Sequence, residues 1–573
     1  MTQRFGRREV LLGAASTMLL SLRGLTRVAA HDRPSGPLHK TRSAVLARNG
    51  MAATSQPLAT AAAIRVLQDG GNAIDAAIAA NAVLGVVEPM SCGIGGDLFA
   101  IVWDAKAKKL FGLNASGRAP KAATIEAFQS RNLKEIPATG PLSWSVPGCV
   151  DGWVTLRDRF GSKPLKELLA PAIRHADEGF PVSEIIAADW DAAAPGLSRV
   201  PTSAACFLPG GKAPGFGDLF KNPGLARSLR GVASEGRDGY YKGSIAASID
   251  AYSRGVGGLL RAEDLASNTS NWVEPVSTNY RGYDVWELPP NGQGIAVLQM
   301  LNLLEPFNLK SMGAQSAEAI HLMVEAKKLA YEDRARYYAD PERAKVPIAG
   351  LISKRYAKTR SALLKADRAS LSPVPGDPPD ADTIYMTVVD KDRNCVSLIQ
   401  SNFNGFGSGH VPGDLGFPLQ NRGSLFALDP KHPNCLEPGK RPFHTIIPGF
   451  VTKDGLPWLA FGVMGGDMQP QGHVQVLTNM IDFGMDAQSA GDAPRWRHSG
   501  SSEPTGEKAR GGGSVWLESA IDGTVRRALE AKGHQLASGR GGYGGYQAIR
   551  IDLDRGTLMG GSDPRKDGGA MGY

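Results

Sequence analysis

The sequence predicts a mixed α+β fold, in which helices and strands both contribute to a large core. Residues 57–70 carry apolar side chains at helical spacing and end on glycine, and the alanine-rich stretch 73–87 predicts a second helix. Residues 98–103 and 383–389 are instead continuous apolar or β-branched runs, which are typical of buried strands. With 42% hydrophobic residues in a chain of 573, there is enough apolar surface to bury a sizeable core.

Further elements follow along the chain. Residues 161–365 are predicted to be largely helical, with glycine-rich loops between the helices. The clearest helix is expected from Ser316 to Tyr338, where apolar residues share one face, and we interpret it as a core element without a chemical role. Residues 388–399 predict two strands joined by a tight turn at 391–394.

The first thirty residues have the features of an export signal. Arg7 and Arg8 precede an apolar run at 10–22, and small residues at 28–30 provide a cleavage site. The run is shorter than the roughly 20 residues that a membrane-spanning helix needs. We therefore expect residues 1–30 to direct the folded protein out of the cytoplasm by the twin-arginine route, to the periplasm or the medium.

Composition excludes several other classes of function. The formal charge of +8 comes partly from the signal, and the remaining charges are mixed in sign, so no nucleic-acid partner is predicted. The five cysteines are scattered, odd in number and without a CxxC pair, and the histidines lack metal-ligand spacing. A glycine cluster at 93–96 precedes a strand instead of following one, which disfavours a dinucleotide site. No metal or cofactor is predicted.

Thr383 stands where a proline-rich segment, 371–378, gives way to a predicted strand. If the Asp382–Thr383 bond breaks, Thr383 becomes an N-terminal residue with a hydroxyl and a free α-amine. That amine, with a reference pKa near ~8, can act as general base for the hydroxyl. The alternative interpretation is that Thr383 is merely the first residue of a strand, a common place for threonine.

Downstream residues add the other parts of a catalytic site. A polar, glycine-rich loop at 400–409 is of the kind that lines a site. The consecutive glycines Gly465 and Gly466 can direct two backbone N–H groups at one point, as in an oxyanion hole. Equally, the pair can form a tight turn between elements.

Several motifs resemble the γ-glutamyltranspeptidase (glutathione hydrolase) family. In chain order they are Gly70-Gly-Asn-Ala-Ile-Asp-Ala-Ala77, Val86-Val-Glu-Pro89, Asp382-Thr383, Val388-Val-Asp-Lys-Asp392, Pro438-Gly-Lys-Arg-Pro442, Gly465-Gly466 and Ser562-Asp-Pro-Arg565. The resemblance runs from about residue 43 to the C-terminus. It implies an N-terminal-nucleophile hydrolase fold, with two β-sheets sandwiched between helices (αββα).

The resemblance also implies a proenzyme that cuts itself into a large chain, 31–382, and a small chain, 383–573. Thr383 matches the nucleophile, Ser401 the hydroxyl residue that supports it, and Gly465 and Gly466 the oxyanion glycines. No cofactor is implied. The expected partners are a small-molecule amide and the other chain of the same precursor.

The positions that hold a glutamyl group in this family differ here. Ser116 occupies the place of the carboxylate-binding arginine, whereas Arg118 is the nearest arginine. Leu425 and Phe403 stand at the places of an amine-binding aspartate and a neighbouring asparagine. His444 replaces one of two serines, and Thr445 stands at the other.

Three short stretches, at 421–423, 443–445 and 468–473, resemble instead the glutathione-hydrolase-like branch that includes oxamate amidohydrolase. Arg118, Arg422, His444 and Thr445 are therefore the expected substrate-binding residues. The leading expectation is hydrolysis or transfer of γ-glutamyl groups from glutathione-like amides. The alternatives are a small-amide hydrolase such as oxamate amidohydrolase and, from another class, an unprocessed periplasmic binding protein on the same fold.

Overall fold

The computed structural model describes residues 40–371, 382–509 and 511–573, without the side chains of Asp382 and Thr383. The predicted signal at 1–30 and most of the proline-rich segment lie outside these residues.

The strands of the described residues are, in chain order, β1 Val45–Ala47, β2 Met51–Thr54, β3 Asp97–Asp104, β4 Lys109–Ala115, β5 Phe180–Pro181, β6 Leu219–Phe220, β7 Asn271–Val273, β8 Val276–Tyr280, β9 Tyr283–Glu287, β10 Asp382–Val389, β11 Cys395–Phe403, β12 Gly449–Lys453, β13 Leu456–Met464, β14 Trp496–Ser499, β15 Ser514–Leu517, β16 Gln535–Ala537, β17 Gly545–Asp552, β18 Thr557–Ser562 and β19 Gly569–Gly572.

The helices of the same residues are α1 Pro57–Gln68, α2 Ala73–Val87, α3 Ile125–Gln129, α4 Cys149–Phe160, α5 Leu165–Glu178, α6 Glu184–Leu197, α7 Pro201–Phe207, α8 Pro223–Glu235, α9 Arg237–Tyr241, α10 Ser244–Gly255, α11 Ala262–Ser267, α12 Gly294–Leu304, α13 Leu309–Met312, α14 Ala317–Tyr337, α15 Ile348–Leu351, α16 Lys354–Ser361, α17 Met468–Ile481, α18 Ala487–Asp492 and α19 Gly523–Ala531.

Two large sheets form the centre of the molecule. The first has the order β1-β18-β17-β13-β12-β9-β8, and the second has the order β19-β2-β10-β11-β3-β4-β7. Within the second sheet, β10 pairs antiparallel with β2 on one side and with β11 on the other. The strand that begins at the predicted cleavage point therefore lies in the middle of a sheet.

Side chains alternate along β10 as the period of a strand requires. Ile384, Met386 and Val388 pack with the residues of α1, α2, α4 and α5. Tyr385 and Val389 point the other way, into a cluster between the two sheets that also contains residues of β12, β13 and β17. A third cluster joins β13 to helices α12, α14 and α17. This is the αββα sandwich implied by the resemblance.

Local signals explain the ends of the helices. At the start of α1 the side chain of Gln56 accepts the N–H of Leu58, and beyond its end Gly70 has a φ of 85°, a conformation that favours glycine. Asn72 forms a capping box with Asp75 at the start of α2. The side chain of Ser316 accepts the N–H of Ala319 at the start of α14. These three predicted helices are confirmed.

One stretch of the chain differs from its prediction. Residues 161–365 were expected to be mostly helical, yet β8 and β9 lie within them and form one edge of the first sheet. Their burial patterns mix buried and half-exposed residues, as expected near the edge of a sheet, and so they lack the continuous apolar run of β3.

Among the described residues, no helix has the length and apolar character needed to cross a membrane. The five cysteines are unpaired.

Candidate active site

The predicted cleavage point lies at the start of β10. Asp382 pairs with Phe403 at the end of β11, and the register shifts between Asp382 and Ile384. Phe403 has a φ of 81°, a conformation that costs energy for a bulky residue and that often marks a functional site. Its N–H donates to Oγ of Ser401 at 2.8 Å. Ser401 and the backbone of Thr383 thus belong to neighbouring strands at one end of the second sheet.

The predicted oxyanion glycines form a turn between β13 and α17. Gly465 and Gly466 have φ values of 115° and 53°, and a side chain on Gly465 would come within 3.2 Å of the backbone of Gly544. The turn closes through the N–H of Met468, which donates to the carbonyl of Gly465 at 2.9 Å. Both positions therefore favour glycine, which leaves their amides uncovered by a side chain.

A buried arginine on α14 braces this turn. Arg334 is fully buried, and its Nη1 donates to Asp467 at 2.6 Å and to Gln293 at 2.7 Å. Its Nη2 donates to both oxygens of Glu503 at 2.6 Å. Gln293 in turn donates to the carbonyl of Gly466 at 3.0 Å. Since these bonds fix the residues on both sides of the turn, Arg334 has a positioning role that the sequence did not suggest for its helix.

A cavity of about 440 Å³ opens beside this turn. Phe403, Leu425, Thr445 and Gly466 are among the residues that line it, together with the apolar side chains of Phe426, Leu428 and Phe443. Because Phe403 pairs with Asp382, the Asp382–Thr383 peptide lies next to this cavity. We call it the acyl cavity.

Arg422 lies directly behind the wall of the acyl cavity. Its guanidinium carbon is 4.7 Å from the ring centre of Phe403, and its Nη1 donates to Oγ1 of Thr445 at 2.7 Å. Its Nε and Nη2 are buried and have no hydrogen-bond partner among the described residues. Burial lowers the pKa of Arg422 to about 9, although nearby Asp97 raises it. A buried cation with unused donors is a site ready for an anion.

His444 and Asp97 complete this group. Nε2 of His444 donates to Asp97 at 3.0 Å, while its Nδ1 accepts the N–H of Ile446 at 3.3 Å. Burial, together with the charge of Arg422, lowers the pKa of His444 well below its ordinary value, so the ring is neutral at pH 7. Burial raises the pKa of Asp97 to about 7, against the opposing effect of Arg422 and of bonds from Gln420 and two backbone amides.

The sequence analysis did not single out Asp97. The only local feature that could have indicated a role for it is its place after a glycine pair and before a predicted strand. Three of the four predicted substrate-binding residues, Arg422, His444 and Thr445, are brought together. The fourth, Arg118, lies apart from them: it donates to Glu342 at 2.9 Å and to the carbonyl of Gly439 at 3.1 Å. It lines neither the acyl cavity nor the larger cavity described below.

The acids near the acyl cavity are either paired or at its rim. Asp467 and Glu503 bind Arg334, whereas Glu135 and Glu507 are exposed to solvent. Asp414 pairs with Arg227 at 2.5 Å on the surface. Position 425 is a leucine, so the apolar part of the acyl cavity has no acid there.

A second cavity, of about 820 Å³, reaches the same glycine turn from the side of Gly465. Asp467 and Glu503 line both cavities, so the two meet at the turn. The larger cavity is also lined by Lys327, His498 and Ser501, three residues that the sequence did not single out.

One group of potential metal ligands occurs elsewhere in the described residues. The ligand atoms of His321, Glu325 and His534 lie within 4.8 Å of one another. The two imidazoles already bond each other at 2.8 Å, and Lys328 donates to Glu325 at 2.7 Å. These bonds occupy the groups that a metal ion would use, and the three residues line neither of these cavities.

Comparisons with known proteins identify several relatives of this chain. The model of the γ-glutamyltranspeptidase family matches residues 59–573. The glutathione hydrolase-like YwrD proenzyme of Bacillus subtilis is 37% identical, over 92% of this chain and 99% of its own length. The oxamate amidohydrolase proenzyme of Klebsiella pneumoniae is 34% identical, over 93% of this chain and all of its own.

A solved structure supports the same relationship. The cephalosporin acylase of Bacillus halodurans is 42% identical and superposes with a TM-score of 0.87, over 95% of this chain and 99% of that one. These relatives carry names with different substrates.

Proposed function

Because the chain belongs to the γ-glutamyltranspeptidase family of N-terminal-nucleophile hydrolases, we propose that it is an exported, self-processing threonine amidohydrolase. Its proposed donors are amides whose acyl group ends in a carboxylate, with γ-glutamyl and glutaryl amides as the leading examples. The observation that carries this proposal is Arg422, which holds unused N–H groups directly behind the acyl cavity.

In the proposed reaction, cleavage of the Asp382–Thr383 bond frees the α-amine of Thr383. The amine takes the proton of the threonine hydroxyl as Oγ1 attacks the carbonyl carbon of the substrate amide. The amides of Gly465 and Gly466 bind the oxyanion that forms, and one such donor is typically worth about 10²–10³ in rate. The ammonium then gives its proton to the departing amine, and water or a second amine releases the acyl group.

The residues around the acyl cavity define the donor. Arg422 supplies positive charge for a carboxylate, and bidentate recognition of that group suits a guanidinium. Leu425 cannot pair with an α-ammonium, and the acids Asp467 and Glu503 are already ion-paired with Arg334. The free α-amine of a γ-glutamyl group therefore contributes little to binding.

We predict that kcat/KM for glutaryl and γ-glutamyl 4-nitroanilides will differ by less than about tenfold. A site built to bind a charged or hydrogen-bonding group rejects analogues lacking it by about 10⁴-fold, whereas a site without such partners cannot. The measurement is release of nitroaniline from each substrate by the purified two-chain protein.

A preference of about 10³-fold or more for the γ-glutamyl anilide would contradict this part of the proposal. Oxamate belongs in the same screen because one relative is an oxamate amidohydrolase. A cavity of about 440 Å³ is large for a two-carbon acyl group. High activity on oxamate with none on either anilide would replace the proposed substrate class.

Export is tested separately. We expect that changing both Arg7 and Arg8 to lysine will hold the protein in the cytoplasm, because the twin-arginine route reads the two arginines as an address and not as charge alone. The measurement is the amount of protein in periplasmic and cytoplasmic fractions. Changing Arg4, which lies outside the pair, to lysine is the matched control. Unchanged periplasmic yield of the double variant would rule out this route.

A further inference from the structure

The larger cavity contains a hydrogen-bonded chain that the proposed amidase reaction does not use. Nζ of Lys327, on α14, lies 2.6 Å from Oγ of Ser501. The same Nζ lies 3.2 Å from Nδ1 of His498. All three side chains are buried, and all three line this cavity.

The bonds of His498 determine which atoms donate and which accept in this set of hydrogen bonds. Its Nε2 lies 2.8 Å from the carbonyl of Gly512, an acceptor only, so Nε2 carries the ring proton. Nδ1 is therefore an acceptor, and Lys327 donates to it. Another side of the Lys327 amine faces the ring of Tyr331, whose centre is 3.8 Å from Nζ. When Lys327 is neutral, its lone pair is left for the hydroxyl proton of Ser501.

The surroundings favour that neutral form. The pKa of Lys327 is lowered to about 7, chiefly by burial and also by Arg334 and Lys328 of the same helix. Asp467 and Glu503, from the other elements around it, act in the opposite direction but are bound to Arg334. The pKa of His498 is also lowered, first by burial, and the ring stays neutral. A lysine that loses its proton near pH 7 is a usable general base.

We propose that Ser501 and Lys327 form a second nucleophilic site, oriented by His498, which is acylated by small aryl esters. The arrangement of nucleophile, base and orienting group follows the logic of Ser–Lys hydrolases. The cavity of about 820 Å³ and the aromatic residues Trp516 and Tyr543 in its wall fit an aryl leaving group. This inference does not depend on the proposed amidase substrate.

The step balances without a cofactor. Nζ of Lys327 takes the hydroxyl proton as Oγ of Ser501 bonds to the ester carbonyl carbon. The bond from that carbon to the aryl oxygen breaks, the phenol leaves with the proton from Lys327, and an acyl ester remains on Ser501. Water releases the acid by the same proton transfers and restores the serine.

The test labels the processed two-chain protein with a fluorophosphonate and locates the label by fragmentation mass spectrometry. Ser501 is expected to be labelled, at a rate that rises as the pH passes through 7. The change Lys327→Met is expected to slow labelling of Ser501 by at least about 30-fold, since a positioned general base contributes about 10²–10⁴. When Thr383 is blocked, the wild-type protein should still hydrolyse 4-nitrophenyl acetate. The Lys327→Met variant should lose this remaining activity.

Ser499 provides the matched control, because it lines the same cavity but bonds Trp516, at 3.0 Å, and not a lysine. Ser499→Ala should leave labelling of Ser501 unchanged. Melting temperature and the two-chain pattern check that each variant folds. Should Lys327→Met fail to fold, the pH profile of the wild-type label decides.

Three outcomes would overturn the inference. The first is wild-type protein labelled at Thr383 but not at Ser501. The second is equal labelling of Ser499 and Ser501. The third is a rate at Ser501 that is independent of Lys327 or of pH.

Discussion

The variant Thr383→Ala is expected to remain a single full-length chain and to lose amidase activity. Without the hydroxyl there is no nucleophile to attack the Asp382–Thr383 bond, and without that cleavage no α-amine is freed to act as base. Wild-type protein should give a small chain of residues 383–573 on a denaturing gel. Activity should fall by at least about 10⁴-fold, since removing the nucleophile of a related class of hydrolase costs about 10⁶ in kcat.

Thr383→Ser is the control, because it keeps the hydroxyl and the amine that cleavage would free. It should still yield two chains, and some activity should remain. Splitting of the alanine variant at the same bond would mean that another protease cuts the precursor. A wild-type protein that never splits yet binds small amides would favour the alternative of a binding protein.

Local pattern was enough to place much of the fold. The helices α1, α2 and α14 follow from apolar spacing plus a capping side chain, and β10 and β11 follow from β-branched runs around a tight turn. These signals are contained within a few residues of chain. The strands β8 and β9, at one edge of the first sheet, were not predicted because half-exposed strands lack a continuous apolar run, and the pairing of β9 with β12 joins residues far apart in the chain.

The candidate site likewise has residues that local motifs identify and residues that they do not. Thr383, Ser401, Gly465 and Gly466 were named from motifs. Thr383 and Ser401 lie on neighbouring strands of the second sheet, whereas Gly465 and Gly466 follow β13 of the first sheet, and Gly466 lines the acyl cavity together with Phe403. Their roles stay predictions.

The supporting residues could not be found from the sequence. Arg334 reaches Asp467 and Glu503 across more than 130 residues of chain, and Asp97 meets His444 across 347. Such contacts depend on how the sheets stack, which no local pattern records. Arg118 was chosen because it is near Ser116 in the sequence, but the ion pair with Glu342 directs it elsewhere.

Arg422→Met is expected to lower kcat/KM for glutaryl and γ-glutamyl anilides alike, by about 10²–10³-fold. Truncating one partner of a buried, hydrogen-bonded charge pair typically costs about 2–5 kcal/mol, and each tenfold change corresponds to about 1.4 kcal/mol. The substrate carboxylate would lose its cation, whereas methionine keeps similar bulk behind Phe403. The measurement is nitroaniline release over a range of substrate concentrations.

The comparison that isolates the charge uses butyryl 4-nitroanilide, which has no carboxylate. Its kcat/KM should change by less than about threefold in Arg422→Met, because the butyryl group has no carboxylate for Arg422 to bind. Equal losses on all three substrates would instead indicate a disturbed cavity wall. Arg118→Ala is the matched arginine control. It should leave kcat/KM unchanged for all three substrates, because Arg118 binds Glu342 and does not line the cavity. The opposite result would be loss of activity on the two carboxylate substrates in Arg118→Ala but not in Arg422→Met. It would mean that Arg118 binds the carboxylate and that the role assigned to Arg422 is wrong.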